Sequence, residues 1–140
     1  MVERTAQDVT EIARAAMDVH SGDVSKLDVY AETVGRYDPF LPDGGAHGRD
    51  AFERDIRDVR EAFPDVQVRA DNVLVSDDIA MIEWTWTGTH EEEFAGIPPT
   101  HNTVEVQGMM KLVIEDGRIR EERSYYDAQD HLAQLGVTDE

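Results

Sequence analysis

The sequence predicts an α+β fold, and three observations carry that prediction. Apolar residues recur at helical spacing through roughly the first 65 positions, and the period drops to two after Pro64. Asp116-Gly117 then supplies a hairpin turn between two alternating runs. Helices first and a meander of strands afterwards place the helices on one face of a mainly antiparallel sheet.

The first helix carries Val9, Ile12, Ala13, Ala16 and His20 on one face. A capping box is expected at Thr5-Ala6-Gln7-Asp8, and Gly22 ends the run. A short second helix is expected next, with Leu27, Tyr30 and Val34 facing inward. The stretch Asp38 to Gly45 is dense in turn residues and must be irregular. Phe52, Ile56, Val59 and Phe63 form the stripe of a third helix, which Pro64 stops.

Val66, Val68 and Ala70 open the first predicted strand, and Ile79 to Thr89 forms the second, with Ala80, Ile82, Trp84 and Trp86 on one face. Val104, Val106, Met110, Leu112 and Ile114 alternate along a third. A fourth runs from Arg118 to Asp127, followed by a tail helix containing Leu132 and Leu135 and closed by Gly136. About four helices and four to six strands are therefore expected.

The chain of 140 residues has the usual size of one domain, and no repeat or linker divides residues 1–140. No run approaches the ~20 apolar residues of a membrane span, and the first residues lack a secretory pattern, so a cytoplasmic protein is expected. There is no cysteine, which excludes disulfides, thiolate metal sites and cysteine nucleophiles. Thirty-one acidic residues oppose thirteen basic ones, of which only Lys26 and Lys111 are lysines, for a net charge of −18. Such a surface suits a halophilic cytoplasm rich in potassium chloride, where the Debye length falls to ~3 Å and self-repulsion is screened. The alternative is an ordinary acidic protein with a basic partner. Nucleic acid is not an expected partner, because the field repels phosphate and no basic stripe interrupts it.

Five segments occur in order: Ala62-Phe63-Pro64-Asp65, Trp84 ahead of Gly88-Thr89-His90, Phe94 to Thr100, Asp116 to Ile119 with Glu121, and Asp127 with Gln134-Leu135-Gly136. Together they resemble the SnoaL-like polyketide cyclases of the nuclear-transport-factor-2-like superfamily. The resemblance implies a cone-shaped half-barrel, its curved sheet wrapped around a pocket with the N-terminal helices over the concave face. It also implies ring closure in a polyketide by intramolecular aldol condensation, without metal or organic cofactor. A non-catalytic protein that binds a hydrophobic ligand, or serves as an interaction domain, is the alternative on the same fold.

The resemblance points to Asp127 as the catalytic carboxyl, because it ends the last strand where the family has an aspartate. A carboxyl in a dry pocket can both remove and deliver a proton if desolvation raises its pKa. Capping the tail helix is its other reading. His90 stands where the family has a Thr-His pair, and it either assists catalysis or bonds the loop backbone. Trp84, Trp86, Tyr125 and Tyr126 are suited to line a cavity for a small hydrophobic ligand, with Arg123 as a further candidate contact.

Alternation puts Arg123, Tyr125 and Asp127 on one strand face. Arg123 replaces a family aromatic, and pairing with Asp127 would keep the carboxyl ionised. Glu91-Glu92-Glu93 replaces a glycine-containing stretch. The Thr100-His101-Asn102-Thr103 turn replaces a Gly-basic one, and Asn102 can accept a left-handed conformation. His90, Glu91 or Glu92, and His101 imitate a two-histidine, one-carboxylate iron site, but a Gly-Pro loop separates the histidines and no metal is expected. Apolar residues on both faces of several strands imply a homodimer that covers the outer sheet face.

Overall fold

The computed structural model describes residues 6–41 and 45–136. In chain order it contains α1 (Ala6–His20), a 3₁₀ helix (Val24–Val29), β1 (Tyr30–Tyr37), β2 (Ala46–His47) and α2 (Arg49–Ala62). β3 (Gln67–Ser76), β4 (Ile79–Thr89), β5 (Thr103–Glu115), β6 (Arg118–Tyr126) and α3 (Ala128–Gln134) follow. The six strands form one curved, unclosed sheet in the order β2-β1-β6-β5-β4-β3. Every neighbouring pair is antiparallel except β1 with β6.

Helix α1 buries Val9, Ala13, Ala16, Met17 and Val19 against the sheet. It ends at Gly22, whose φ of +106° is open to glycine at little cost. The expected capping box includes Thr5, which lies outside the described residues. In α2, Phe52 and Ile56 are buried, and fully buried Phe63 caps the C-terminus before Pro64. Asp116 and Gly117 both have positive φ, at 52° and 79°, as the two central residues of a type I′ hairpin turn require.

The second predicted helix is corrected. Only Val24–Val29 is helical, as a 3₁₀ turn, and Tyr30 to Tyr37 is a strand. Tyr30 and Val34 are both buried, and a spacing of four fits either period. Pairing with β6 on one side and β2 on the other decides the matter.

One irregularity governs which side chains reach the concave face. Between β5 and β6, Ile114 pairs with Ile119 but Val113 pairs with Glu121, so Arg120 is an extra residue. Ile119 faces inward, and beyond the bulge the inward positions become Glu122, Ser124 and Tyr126, opposite Leu112, Met110 and Gly108. Gly108 is needed there. A Cβ at this position would lie 2.5 Å from Trp84 Cζ2, so the indole rests directly on the β5 backbone. No helix among the described residues is long and apolar enough to cross a membrane.

Candidate functional site

The concave face encloses a cavity of about 790 Å³. Part of its wall is aromatic, formed by Phe40, Trp84, Trp86, Phe94 and Tyr126. These positions follow from the sheet. Trp84 and Trp86 are alternate residues of β4, and Tyr126 is the last inward residue of β6. The Tyr126 ring lies 5.5 Å from that of Trp84 and 6.0 Å from that of Phe40.

The polar part of the wall is built by the end of α1 and by β1. His20 Nε2 lies 3.0 Å from both carboxylate oxygens of Glu122. The Tyr30 hydroxyl donates to Glu122 Oε1 at 2.6 Å. Burial is the largest influence on Glu122 and pushes its pKa up. The His20 charge and hydrogen bond, the Tyr30 hydroxyl and the Arg36 charge together outweigh it, leaving the carboxyl below its ordinary value. Ionised Glu122 is an acceptor only, so the His20 Nε2–H donates to it and Nδ1 is the other ring nitrogen.

Arg36 and Asp38 complete this region. Arg36 is only 5% exposed; one end of its guanidinium donates to Asp55, and its plane lies 4.2 Å over the Phe52 ring. Its Nε–H is buried without a partner. Asp38 accepts from the Phe40 backbone N–H at 2.7 Å, and the Tyr126 hydroxyl is within 3.5 Å of the same oxygen. Burial pushes the Asp38 pKa up; the Phe40 hydrogen bond and the Arg36 charge only partly offset it. A desolvated carboxyl, a carboxylate-bound imidazole and the guanidinium-bearing side chain of Arg36 thus line one cavity. Together they can move protons and stabilise a developing oxyanion.

Of the residues expected from sequence, Trp84, Trp86 and Tyr126 line the cavity. The others stand elsewhere. Asp127 is exposed at the N-cap of α3, where its side chain accepts from the Asp130 N–H at 3.0 Å. Arg123 does not pair with Asp127. Its guanidinium lies 3.3 Å from Glu121 and 4.0 Å over the Tyr37 ring, on the outer face. Tyr125 is 60% exposed on that face. The Arg120 bulge explains all three placements, since it turns the odd-numbered positions after it away from the cavity.

His90 is fully buried but does not line the cavity. Its Nδ1 accepts the Thr100 N–H at 3.2 Å, and its ring stacks on Phe63 at 5.3 Å. In the loop beyond it, His101 rather than Asn102 takes the left-handed conformation, with φ of 60°, while the Asn102 side chain donates to the Gln134 carbonyl. No group of three or more metal-ligating side chains is clustered among the described residues.

Sequence reasoning missed Asp38, Arg36, Glu122 and His131 as site residues. His20 had been placed on the inward face of its helix, but without a role. The signals were a polar tip on an apolar helix stripe and a charged residue one turn residue from Pro39, neither distinctive alone.

A sequence-family profile described as SnoaL-like polyketide cyclase matches residues 10–135. No curated protein matches the chain in sequence. Among solved structures, TsrD from Streptomyces laurentii superposes with a TM-score of 0.84 at 21% identity, over 96% of this chain and 98% of its own. A protein from Jannaschia sp. CCS1, provisionally named a SnoaL-like polyketide cyclase, gives 0.84 at 19% identity, over 99% and 100% of the two chains. IdmH from Streptomyces antibioticus, provisionally named a polyketide cyclase, gives 0.77 at 25% identity, over 92% and 99%.

Proposed function

Because the chain belongs to the SnoaL-like polyketide cyclase family, we propose that it is an acid–base catalyst of ring closure in a small, hydrophobic, polyketide-like carbonyl compound. The observation that carries this reading is the desolvated Asp38 carboxyl beside the His20–Glu122 pair in an aromatic-walled cavity. His20 Nδ1 removes a proton from carbon next to a carbonyl, and Glu122 stabilises the imidazolium that results. The positive charge of Arg36 stabilises the enolate oxygen. The enolate carbon bonds to a second carbonyl of the same molecule, and the new alkoxide takes the proton of Asp38. Transfer of the His20 proton back to Asp38 closes the cycle, so the reaction is a net isomerisation and consumes nothing.

The test is deuterium exchange at the central carbon of an aryl 1,3-diketone in D₂O, followed by NMR. Asp38→Asn and His20→Gln should each slow exchange or closure by a factor of ~10² to 10⁴. Wild-type rates in both variants would overturn the reading. A non-catalytic ligand-binding role has one observation in its favour. The inward position between Glu122 and Tyr126 on β6 is Ser124, a hydroxyl with no capacity for acid–base work near neutrality.

A further inference from the structure

His131, on α3, is 7% exposed, and its Nε2 is buried without a hydrogen-bond partner. Four aromatic rings surround the imidazole: Trp86 at 5.2 Å, Phe40 at 5.4 Å, Phe94 at 6.2 Å and Phe63 at 6.3 Å. Three of them, Phe40, Trp86 and Phe94, line the cavity together with His131. Burial pushes the His131 pKa down to about 4; Asp130 opposes this and His90 adds to it. The ring is therefore neutral at physiological pH. A neutral imidazole nitrogen left unpaired among apolar rings loses its hydration without compensation. A leucine, like Leu132 beside it, would serve equally well as simple packing, and the polar ring calls for a ligand that completes it.

We propose that this box is a subsite for an aromatic ring bearing a hydroxyl group, with the hydroxyl hydrogen-bonded to His131 Nε2. The surrounding rings offer edge and face contacts to a flat partner. A hydroxyl both donates and accepts, so it serves either tautomer of the imidazole, which neither a carbonyl nor an ammonium does. The ligand enters as the neutral phenol rather than the phenolate. Asp58, Glu61, Glu92 and Glu93 also line the cavity, and their field disfavours an anion. This assignment narrows the substrate class of the proposed catalyst and rests on its cavity, not on its proton transfers.

Equilibrium dialysis of the full chain in molar potassium chloride with 2-naphthol and with naphthalene tests it. The wild type should bind 2-naphthol about tenfold more tightly than naphthalene, and His131→Phe should reduce that ratio to about one. An independent readout needs no variant. The ¹⁵N resonance of His131 Nε2 should shift on adding 2-naphthol and stay in place with naphthalene. Equal affinities in the wild type, an unmoved resonance, or a ratio preserved in folded His131→Phe would overturn the subsite. Absence of deuterium exchange in the wild type would instead sink the catalytic reading and leave the binding ratio unchanged.

Discussion

Glu122 on β6 grips His20 at the end of α1, with both carboxylate oxygens 3.0 Å from Nε2 across 102 residues of sequence. The pair ties the first helix to the last strand at the polar end of the cavity. Tyr30, fully buried, fixes the carboxylate from a third element.

Breaking this cluster should cost stability asymmetrically. Glu122→Leu strands the His20 and Tyr30 donors and should destabilise the fold by about 3 to 5 kcal/mol, whereas Tyr30→Phe removes one hydrogen bond and should cost about 1 kcal/mol. Urea unfolding at pH 7 measures both. The pH dependence has a definite sign. The folded pKa of Glu122 lies below its unfolded value, so its contribution is fully present above the unfolded pKa. It is lost as pH falls through the folded one. A stability curve for Glu122→Gln as steep as the wild type's on the acid side would contradict this.

Asp38 has the opposite sign. Its folded pKa is raised, so ionisation is less favourable in the folded state and the group's contribution declines as pH rises past its unfolded pKa. Asp38→Asn keeps an acceptor for the Phe40 N–H and removes the cost of ionising a desolvated carboxyl. It should therefore melt no lower than the wild type at pH 7 while losing catalysis. A lowered melting temperature at pH 7 would show that the ionised carboxylate holds the loop.

Asp127 should behave as a cap. Asp127→Asn should change stability by only a few tenths of a kcal/mol, and Asp127→Ala should cost about 1 kcal/mol. Proton exchange on a diketone should be unchanged in Asp127→Asn. A rate drop of a hundredfold in that variant would return the acid–base role to this residue.

Salt and self-association are linked through the net charge of −18. Leu74 faces Met81, and Met109 faces Tyr125, on the outer side of the sheet, all exposed. We propose that a second copy covers this apolar face in a cytoplasm rich in potassium chloride, where screening permits two strongly acidic chains to meet. The melting temperature should climb between roughly 0.1 M and 2 M potassium chloride. Sedimentation in molar salt should give a dimer, and Leu74→Glu with Met109→Glu should give a monomer. A flat melting temperature, or a wild-type monomer at micromolar concentration in molar salt, would refute the respective claim.

Much of the fold was legible because its signals are local. The stop at Gly22, the break at Pro64 and the Asp116-Gly117 turn each depend on backbone preferences of one or two residues. The inward row of Ala80, Ile82, Trp84 and Trp86 follows from alternation alone. Tyr30 to Tyr37 was less accessible. Its short run carries Gly35 and two buried residues four apart, and only the neighbouring strands decide its form.

Local signals in the chain specified Trp84 and Trp86 of the cavity wall, the acidic surface and the run of strands after Pro64, because periodicity and turn chemistry act within a few residues. The tertiary structure alone decided which carboxylates face inward. Without a bulge, inward Ile119 would carry Arg123, Tyr125 and Asp127 into the cavity with it. The extra residue Arg120 reverses the alternation, presenting Glu122, Ser124 and Tyr126 instead. That reversal arises from pairing with β5, and no pattern within β6 records it.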